Sequence, residues 1–289
     1  MRGPVATWRP DARPRRGRRP FDQVPRWQIY LPLGLYLLFT LVPFYWILLF
    51  ALRPDGSTSL VPWPLTFEHF GQVWTERSFG TYFGNSVLVG VFTTVLTTVV
   101  ALSGGYALAR FSFRGRRLFL LALLCSQFVP GALLLVPLFQ IFAGLHLINS
   151  LAGVVLAETV FQLPLSVMLV SGFVKNVPAS LEEAAWVDGC GRMRAFRVVV
   201  LPLLRPGLVA VGSFAFVHAW NHFLFALMFL SDEDKQTVPV GLNTLMSADS
   251  VDLGALAAGG ILAAVPVVLV FAYVQKWLIT GFSAGAVKG

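Results

Sequence analysis

Six stretches of this chain, roughly residues 28–50, 82–108, 118–141, 152–174, 207–230 and 253–276, each hold a run of about 20 residues in which Lys and Arg hardly occur. An α-helix rising 1.5 Å per residue needs about 20 apolar residues to cross a hydrocarbon core of about 30 Å. Every stretch is long enough. Pro43, Gly104, Pro164 and Pro266 fall inside them, but helices in lipid tolerate such residues because neighbouring segments take up the freed backbone groups. The stretches are too long, and do not alternate with period two as barrel strands would. The remaining sequence cannot support a water-soluble fold: only 12% of the 289 residues are Asp, Glu, Lys or Arg, about half the usual share. The fold class read from this pattern is an all-α integral membrane protein with six transmembrane helices.

Charge then orients the spans. The first 27 residues carry eight arginines; Arg110, Arg114, Arg116 and Arg117 follow span 2; Lys175, Arg192, Arg194, Arg197 and Arg205 follow span 4; Lys276 and Lys288 lie in the tail. One side thus holds 19 of the 22 basic residues, and the other only Arg53, Arg77 and Lys235. The positive-inside rule puts that basic side, and both termini, in the cytoplasm. The Arg- and Pro-rich extension 1–27 has no apolar face and reads as a disordered segment drawn to anionic headgroups, ahead of an uncleaved anchor; a nucleic-acid role is not expected. Two well-separated cysteines, Cys125 and Cys190, do not make a disulfide scaffold. No Gly-x-x-x-x-Gly-Lys-Ser/Thr loop occurs, so the chain does not bind ATP in the P-loop manner.

The loops divide the chain further. Residues 28–81 comprise the first span and an external loop rich in Pro and aromatics. A second external loop, 231–252, is acidic at its start, with Leu242, Leu245 and Met246 at helical spacing. The cytoplasmic loop 175–206 is too long for a tight turn between helices. In it Pro178 can open a helix and Ser180 can cap one. Glu182 and Glu183 then fall in the first turn, where amide dipoles favour carboxylates. Ala184 and Ala185 are strong, small helix formers, and Gly189 suits a left-handed stop. A second short helix is predicted from about Arg192 to Val200, with Pro202 and Pro206 framing the entry to span 5. Such a helix across the membrane surface can dock in a groove of a soluble partner or simply pack on its own bundle; spacing alone leaves both open.

That loop resembles the signature of the permease subunits of binding-protein-dependent ABC importers. The family pattern is Glu-Ala-Ala, three residues, Gly, nine residues, Ile, one residue, Leu-Pro. Here it reads Glu183-Ala184-Ala185, then Asp188-Gly189, with Cys190 and Val199 as small apolar exchanges, then Leu201-Pro202. The run from Phe79 through Tyr82 and Asn85 to Ser86 is similar to the start of the shared permease core. Trp220-Asn221-His222-Phe223 resembles span 5 of the sugar-importing branch, where an acidic residue usually stands in place of His222. The tail from Gly281 resembles that of the maltose-type second permeases. The resemblance covers about residues 28–289.

It implies a type I importer fold (MetI-like), with a permease core over 82–280 and a cytoplasmic tail over 281–289, in a bacterial inner membrane. It also implies partners: a second, homologous permease, two copies of an ATPase that carry the ATP and magnesium, and an extracellular or periplasmic solute-binding protein that delivers a sugar. This chain itself is expected to bind no cofactor and catalyse no reaction. The family's coupling role maps onto Glu182, Glu183, Ala184, Ala185, Asp188 and Gly189, and a tail contact with the ATPase onto Gly285, Lys288 and Gly289.

The bundle interior offers few polar residues. Glu158 lies near the outer end of span 4, where insertion scales charge about 2.5–3.5 kcal/mol for a carboxylate in lipid; it is expected to face the bundle or the headgroups. His218 and His222 are four apart on one helical face, beside Asn221. Their spacing can hold zinc, but no metalloprotease Glu accompanies them and no metal site is expected. Glu158, His218, Asn221 and His222 are therefore candidate translocation-path residues, and neutral amide and imidazole groups suit an uncharged polyol. Rival readings are an ABC permease for phosphate, peptide or amino acid, an ion-coupled secondary transporter, and an integral-membrane enzyme. The last two would want intramembrane charges or clustered acid and base groups that this sequence lacks.

Overall fold

The computed structural model describes residues 25–75, 77–246 and 252–285. Among these residues there is no strand; the elements are α1 (Arg26–Leu52), α2 (Glu68–Thr75), α3 (Phe79–Arg110), α4 (Arg116–Ser126), α5 (Leu135–Gly144), α6 (Leu151–Asn176), α7 (Ala179–Val187), α8 (Arg192–Ala195), α9 (Leu201–Asn221), α10 (Leu224–Phe229), α11 (Val238–Met246) and α12 (Leu253–Gly285). The chain forms two compact units, Met1–Trp46 and Ile47–Gly289. In the first, the described part of α1 is apolar and exposed on nearly every side. The packing and the sites described below belong to the second unit.

Five helical stretches are long and apolar enough to cross a membrane, and a bent pair raises the number to six if it counts as one span. The prolines expected to be tolerated do lie inside helices: Pro43 in α1, Pro164 in α6 and Pro266 in α12.

Three boundaries differ from the sequence reading. The predicted third span, 118–141, is broken: α4 and the stretch Gly131–Gly144 meet at 97°. Pro130 explains the break, because it lacks an N–H and pushes the residue before it out of helical geometry. The predicted fifth span, 207–230, instead runs Arg192–Asn221. The separate helix expected over 192–200 is the start of that span, joined to α9 by a π-helical turn, Phe196–Val200. The wide turn falls where Pro202 withholds the donor that Val198 would otherwise meet. At the other end His222 is extended (ψ 123°), so residues 224–229 form a separate short helix.

The core of this unit is built on α3, which packs along α6 and α9. Toward the Arg110 end of α3, Ala101 and Leu108 meet Val170, Val174, Val200 and Leu204. Farther along, Val89 joins a cluster with Phe142, Val154, Ala157, Phe225 and Phe229. At the Arg110 end the contact is close because a glycine permits it. A Cβ on Gly105 would lie 2.7 Å from Val170 Cγ1 and 2.9 Å from the Ser171 backbone nitrogen. In lipid, where little hydrophobic force joins helices, such small-residue contact is what lets dispersion act.

The motif at the start of α3 pins the 231–246 segment. Tyr82 donates to Glu233 Oε1 (3.1 Å), Asn85 Nδ2 to the carbonyls of Asp234 (2.8 Å) and Gln236 (2.9 Å), and Val238 N–H to Ser86 Oγ (2.8 Å). Trp220, from the second motif, is buried edge-on against Phe83 and donates to the Ala263 carbonyl (3.0 Å).

Gly105→Val should therefore lower the apparent melting temperature in detergent, corresponding to about 1–3 kcal/mol of overpacking. Gly172→Ala, on the open side of α6 with nothing within 4 Å of its added Cβ, should leave it unchanged or raise it slightly. Thermal unfolding followed by size-exclusion chromatography reads both, and equal behaviour of the two variants would refute the close-approach account.

Candidate functional site

The Glu-Ala-Ala loop folds as α7, a helix of nine residues. Pro178 occupies the N-cap position and Ser180 lies within the first turn, making no cap bond, contrary to the capping expected of it. The helix ends in a Schellman arrangement. Cys190 N–H bonds the Ala185 carbonyl (2.9 Å), Gly189 N–H bonds that of Trp186 (3.0 Å), and Gly189 has φ +85°. Only glycine takes up that left-handed geometry without cost.

The two glutamates diverge. Glu182 is buried, not presented outward: its Oε1 accepts from Arg110 Nε at 2.5 Å and its Oε2 from Tyr106 Oη at 2.7 Å. Arg110 also donates to the Val177 carbonyl at 2.8 Å, just before α7 begins. One guanidinium at the end of α3 thereby holds both the start of α7 and its first turn. Glu183, Ala184, Asp188 and Gly189 are exposed, and Ala185 is partly so. Val187 is 88% exposed at the tip, with Leu181 and Trp186 also open. The sequence reading missed this apolar tip, and missed Tyr106 and Arg110 as the anchors. A cavity of about 640 Å³ between α3, α7 and α8 is lined by Tyr106, Arg110, Glu182, Glu183, Trp186 and Arg192 among others. Gly285 is the last described residue of α12; Lys288 and Gly289 lie outside the described residues.

The second cluster brings the four interior candidates together. Glu158, 1% exposed, has Oε1 2.5 Å from His222 Nδ1 and Oε2 3.4 Å from His218 Nδ1. These are close contacts without hydrogen-bond alignment: neither oxygen has a hydrogen-bond partner among the described residues. The imidazoles stack at 5.2 Å with planes 16° apart. They line a cavity of about 440 Å³ with Asn221, Gln127, Gln162, Ser166, Phe161 and Phe214. Gln127 comes from the break after α4, and the other two polar residues from α6; none was singled out in the sequence.

Beyond the same end of α6, Asn149 (φ +56°) accepts the backbone N–H groups of Ser231 and Asp232 (both 3.1 Å) and donates to Asp232 Oδ2. Lys235 bonds that carboxylate at 2.8 Å. The Lys235 hydrogen bond, then that of Asn149, holds the Asp232 carboxyl below its usual range, and Asp232 in turn raises the Lys235 ammonium. A depressed carboxyl stabilises the folded loop at neutral pH and loses that effect as acid protonates it, below about pH 4.

Asp55, His69 and Asp252 bring ligand atoms within 4.8 Å of one another. Two of the three are otherwise engaged: His69 Nε2 lies 3.0 Å from the Arg53 carbonyl, and Asp252 Oδ1 accepts the Ala255 N–H. The His218–His222 pair is committed to Glu158.

Residues 101–283 match the model of the binding-protein-dependent transport system inner membrane component family. The diacetylchitobiose uptake system permease protein DasC of Streptomyces coelicolor is 37% identical over 252 residues, covering 86% of this chain and 91% of the relative. A crystal structure of a bacterial ABC transporter involved in the import of the acidic polysaccharide alginate matches with TM-score 0.74 at 23% identity, over 88% of this chain and 98% of that one. A bacterial alginate ABC transporter in complex with an alginate pentasaccharide-bound periplasmic protein matches with TM-score 0.68 at 12% identity, over 90% and 96%. These two share the fold. With α7 carrying the Glu-Ala-Ala loop inside the matched region, the chain belongs to the family of binding-protein-dependent transport system inner membrane components.

Proposed function

We propose that this chain is one of two permease subunits of an ATP-driven sugar importer in a bacterial cell membrane, with both termini cytoplasmic. A homologous permease completes the path, two copies of a separate ATPase bind ATP and magnesium, and a solute-binding protein delivers the sugar. Relatives named for carbohydrate uptake support the substrate class, and a structural neighbour solved with a periplasmic protein supports the delivery partner.

One observation carries the reading: α7 is braced from below by Arg110 and Tyr106 while Glu183, Ala184, Val187, Asp188 and Gly189 stand free. A permease must exchange an inward-open and an outward-open arrangement, whose balance its partners shift. Closure of the ATPase can move the spans only through a contact that does not yield. The Glu182 clamp ties α7 directly to α3, so a push on the exposed tip reaches the core of the bundle. Ala184 lets a partner approach closely, Val187 offers apolar area, and Glu183 offers a charge to a basic groove. Gly285, Lys288 and Gly289 add a tail contact in the same reading. The cavity lined by His218, Asn221 and His222, with Glu158 behind them, forms this subunit's wall of the translocation path.

Ala184→Arg and Gly189→Asp should leave membrane abundance near wild type and abolish uptake, because each changes the exposed tip; the Cβ added at Gly189 meets no neighbour within 4 Å, and its left-handed backbone adds a strain of only about 1–2 kcal/mol. Immunoblotting of membranes beside an uptake assay reads the two quantities. Full uptake at normal abundance would defeat the coupling role, and transport by the purified chain without an ATPase would defeat the whole reading. Uptake of phosphate, a peptide or an amino acid in place of any sugar would keep the machine and replace its cargo.

Arg110→Ala and Glu182→Ala should each destabilise the fold by about 3–5 kcal/mol, since each strands a buried charge. The double variant should lose clearly less than the sum, which a thermal double-mutant cycle measures. Additive losses would mean that the two groups do not act together.

A further inference from the structure

We propose that Glu158 is a positioning residue: it fixes the proton on Nδ1 of His218 and His222, so that both Nε2 atoms face the cavity as hydrogen-bond acceptors for a neutral, hydroxyl-rich solute. This deepens the reading of the cavity as part of the translocation path and rests on it.

The geometry is specific. Each carboxylate oxygen of Glu158 meets a different ring, and each ring turns Nδ1 to it. A protonated carboxyl has one hydrogen and could serve only one imidazole. An ionised carboxylate accepts from both. Neither oxygen has a hydrogen-bond partner among the described residues. The charged or chargeable groups within 4 Å of it are the two histidines, with no Lys or Arg nitrogen that near among the described residues. A charge buried this deeply is tolerated only when it is matched by donors. The Nδ1–H groups are the donors nearest its two oxygens.

The consequence lies on the far edge of each ring. In a neutral imidazole one nitrogen donates and the other accepts, and the hydrogen bond made by the first decides the second. Nδ1 held as a donor leaves a lone pair on Nε2. Two nearly parallel rings 5.2 Å apart then offer two acceptors side by side, among the amides of Asn221, Gln127 and Gln162 and the hydroxyl of Ser166. A sugar hydroxyl can donate to such a pair. A carboxylate, which only accepts, would meet lone pair against lone pair. The wall of this cavity thus selects neutral saccharides over anionic ones.

The sequence holds four histidines, the others being His69 and His146, so ¹⁵N-histidine labelling of the full chain in lipid bilayers gives a spectrum that His218→Gln and His222→Gln variants assign. Protonated Nδ1 with unprotonated Nε2 on both rings is the expected result, and it should give way to mixed tautomers in the isosteric Glu158→Gln. Unprotonated Nδ1, or imidazolium on both rings, in the wild type overturns the inference. Uptake of labelled neutral disaccharides and their uronate-bearing counterparts is measured in parallel. The neutral probe that the wild type carries should show KM raised about tenfold in Glu158→Gln with kcat within about twofold, as loss of about 1.4 kcal/mol of binding would give. The expected tautomers with an unchanged KM would remove the cavity from the path while leaving the positioning role standing. A wild type that carries uronates in preference overturns the selectivity. A wild type that carries no saccharide at all refutes the sugar reading itself, which the spectra do not depend on.

Discussion

The close packing of α3 against α6 is the constraint on which both functional regions rest. At Gly105 the two backbones approach until a single methyl group would collide with Val170 and with the Ser171 nitrogen. The cavity cluster and the α7 clamp lie on opposite sides of this contact. Glu158 is carried on α6, one or two turns into the helix, and Arg110 ends α3. A displacement at one end is therefore delivered to the other through a packed seam, and packed seams resist small deformations and change by switching between arrangements.

Polar groups at both ends follow the same logic, because lipid offers no water to satisfy them. Where α3 begins, Tyr82, Asn85 and Ser86 are used up in holding the 231–246 segment. Where it ends, Tyr106 and Arg110 are used up in holding α7. What the sequence presents as two short motifs far apart from their partners is one helix whose two polar tips each fasten a separate surface segment. The span between those tips carries hydroxyls as its only polar side chains, among them the buried Thr93 and Thr97, and packs chiefly through apolar contact.

Periodicity and charge made the fold legible wherever a helix is continuous. They failed where a span is interrupted, since apolar content does not fall at Pro130 or at His222 even though the helix does. The start of span 5 was misplaced for the converse reason: Arg192 to Val200 is polar enough to read as a separate surface helix, yet it continues into the span by widening one turn. The exposed tip of α7 was legible because Gly189 and the alanines have local conformational and steric meanings. The burial of Glu182 was not, because its partner lies 72 residues earlier in the chain and only the packing of α3 on the loop brings the two together.

The same distance problem hid the meaning of His222. A histidine where the resemblance led to the expectation of an acid reads, on sequence, as a lost charge. In the folded chain an acid is present beside it, supplied by α6 as Glu158. The group at the cavity wall is then an imidazole with an acid behind it, not an acid alone. A carboxylate at the wall would repel anions and accept from hydroxyls as an uncompensated charge. An imidazole backed by a buried carboxylate still accepts from hydroxyls, yet keeps the charge away from the solute and so binds it without having to strip water from an ion. For a path that must release its cargo as readily as it takes it up, that weaker and neutral grip is the more suitable chemistry.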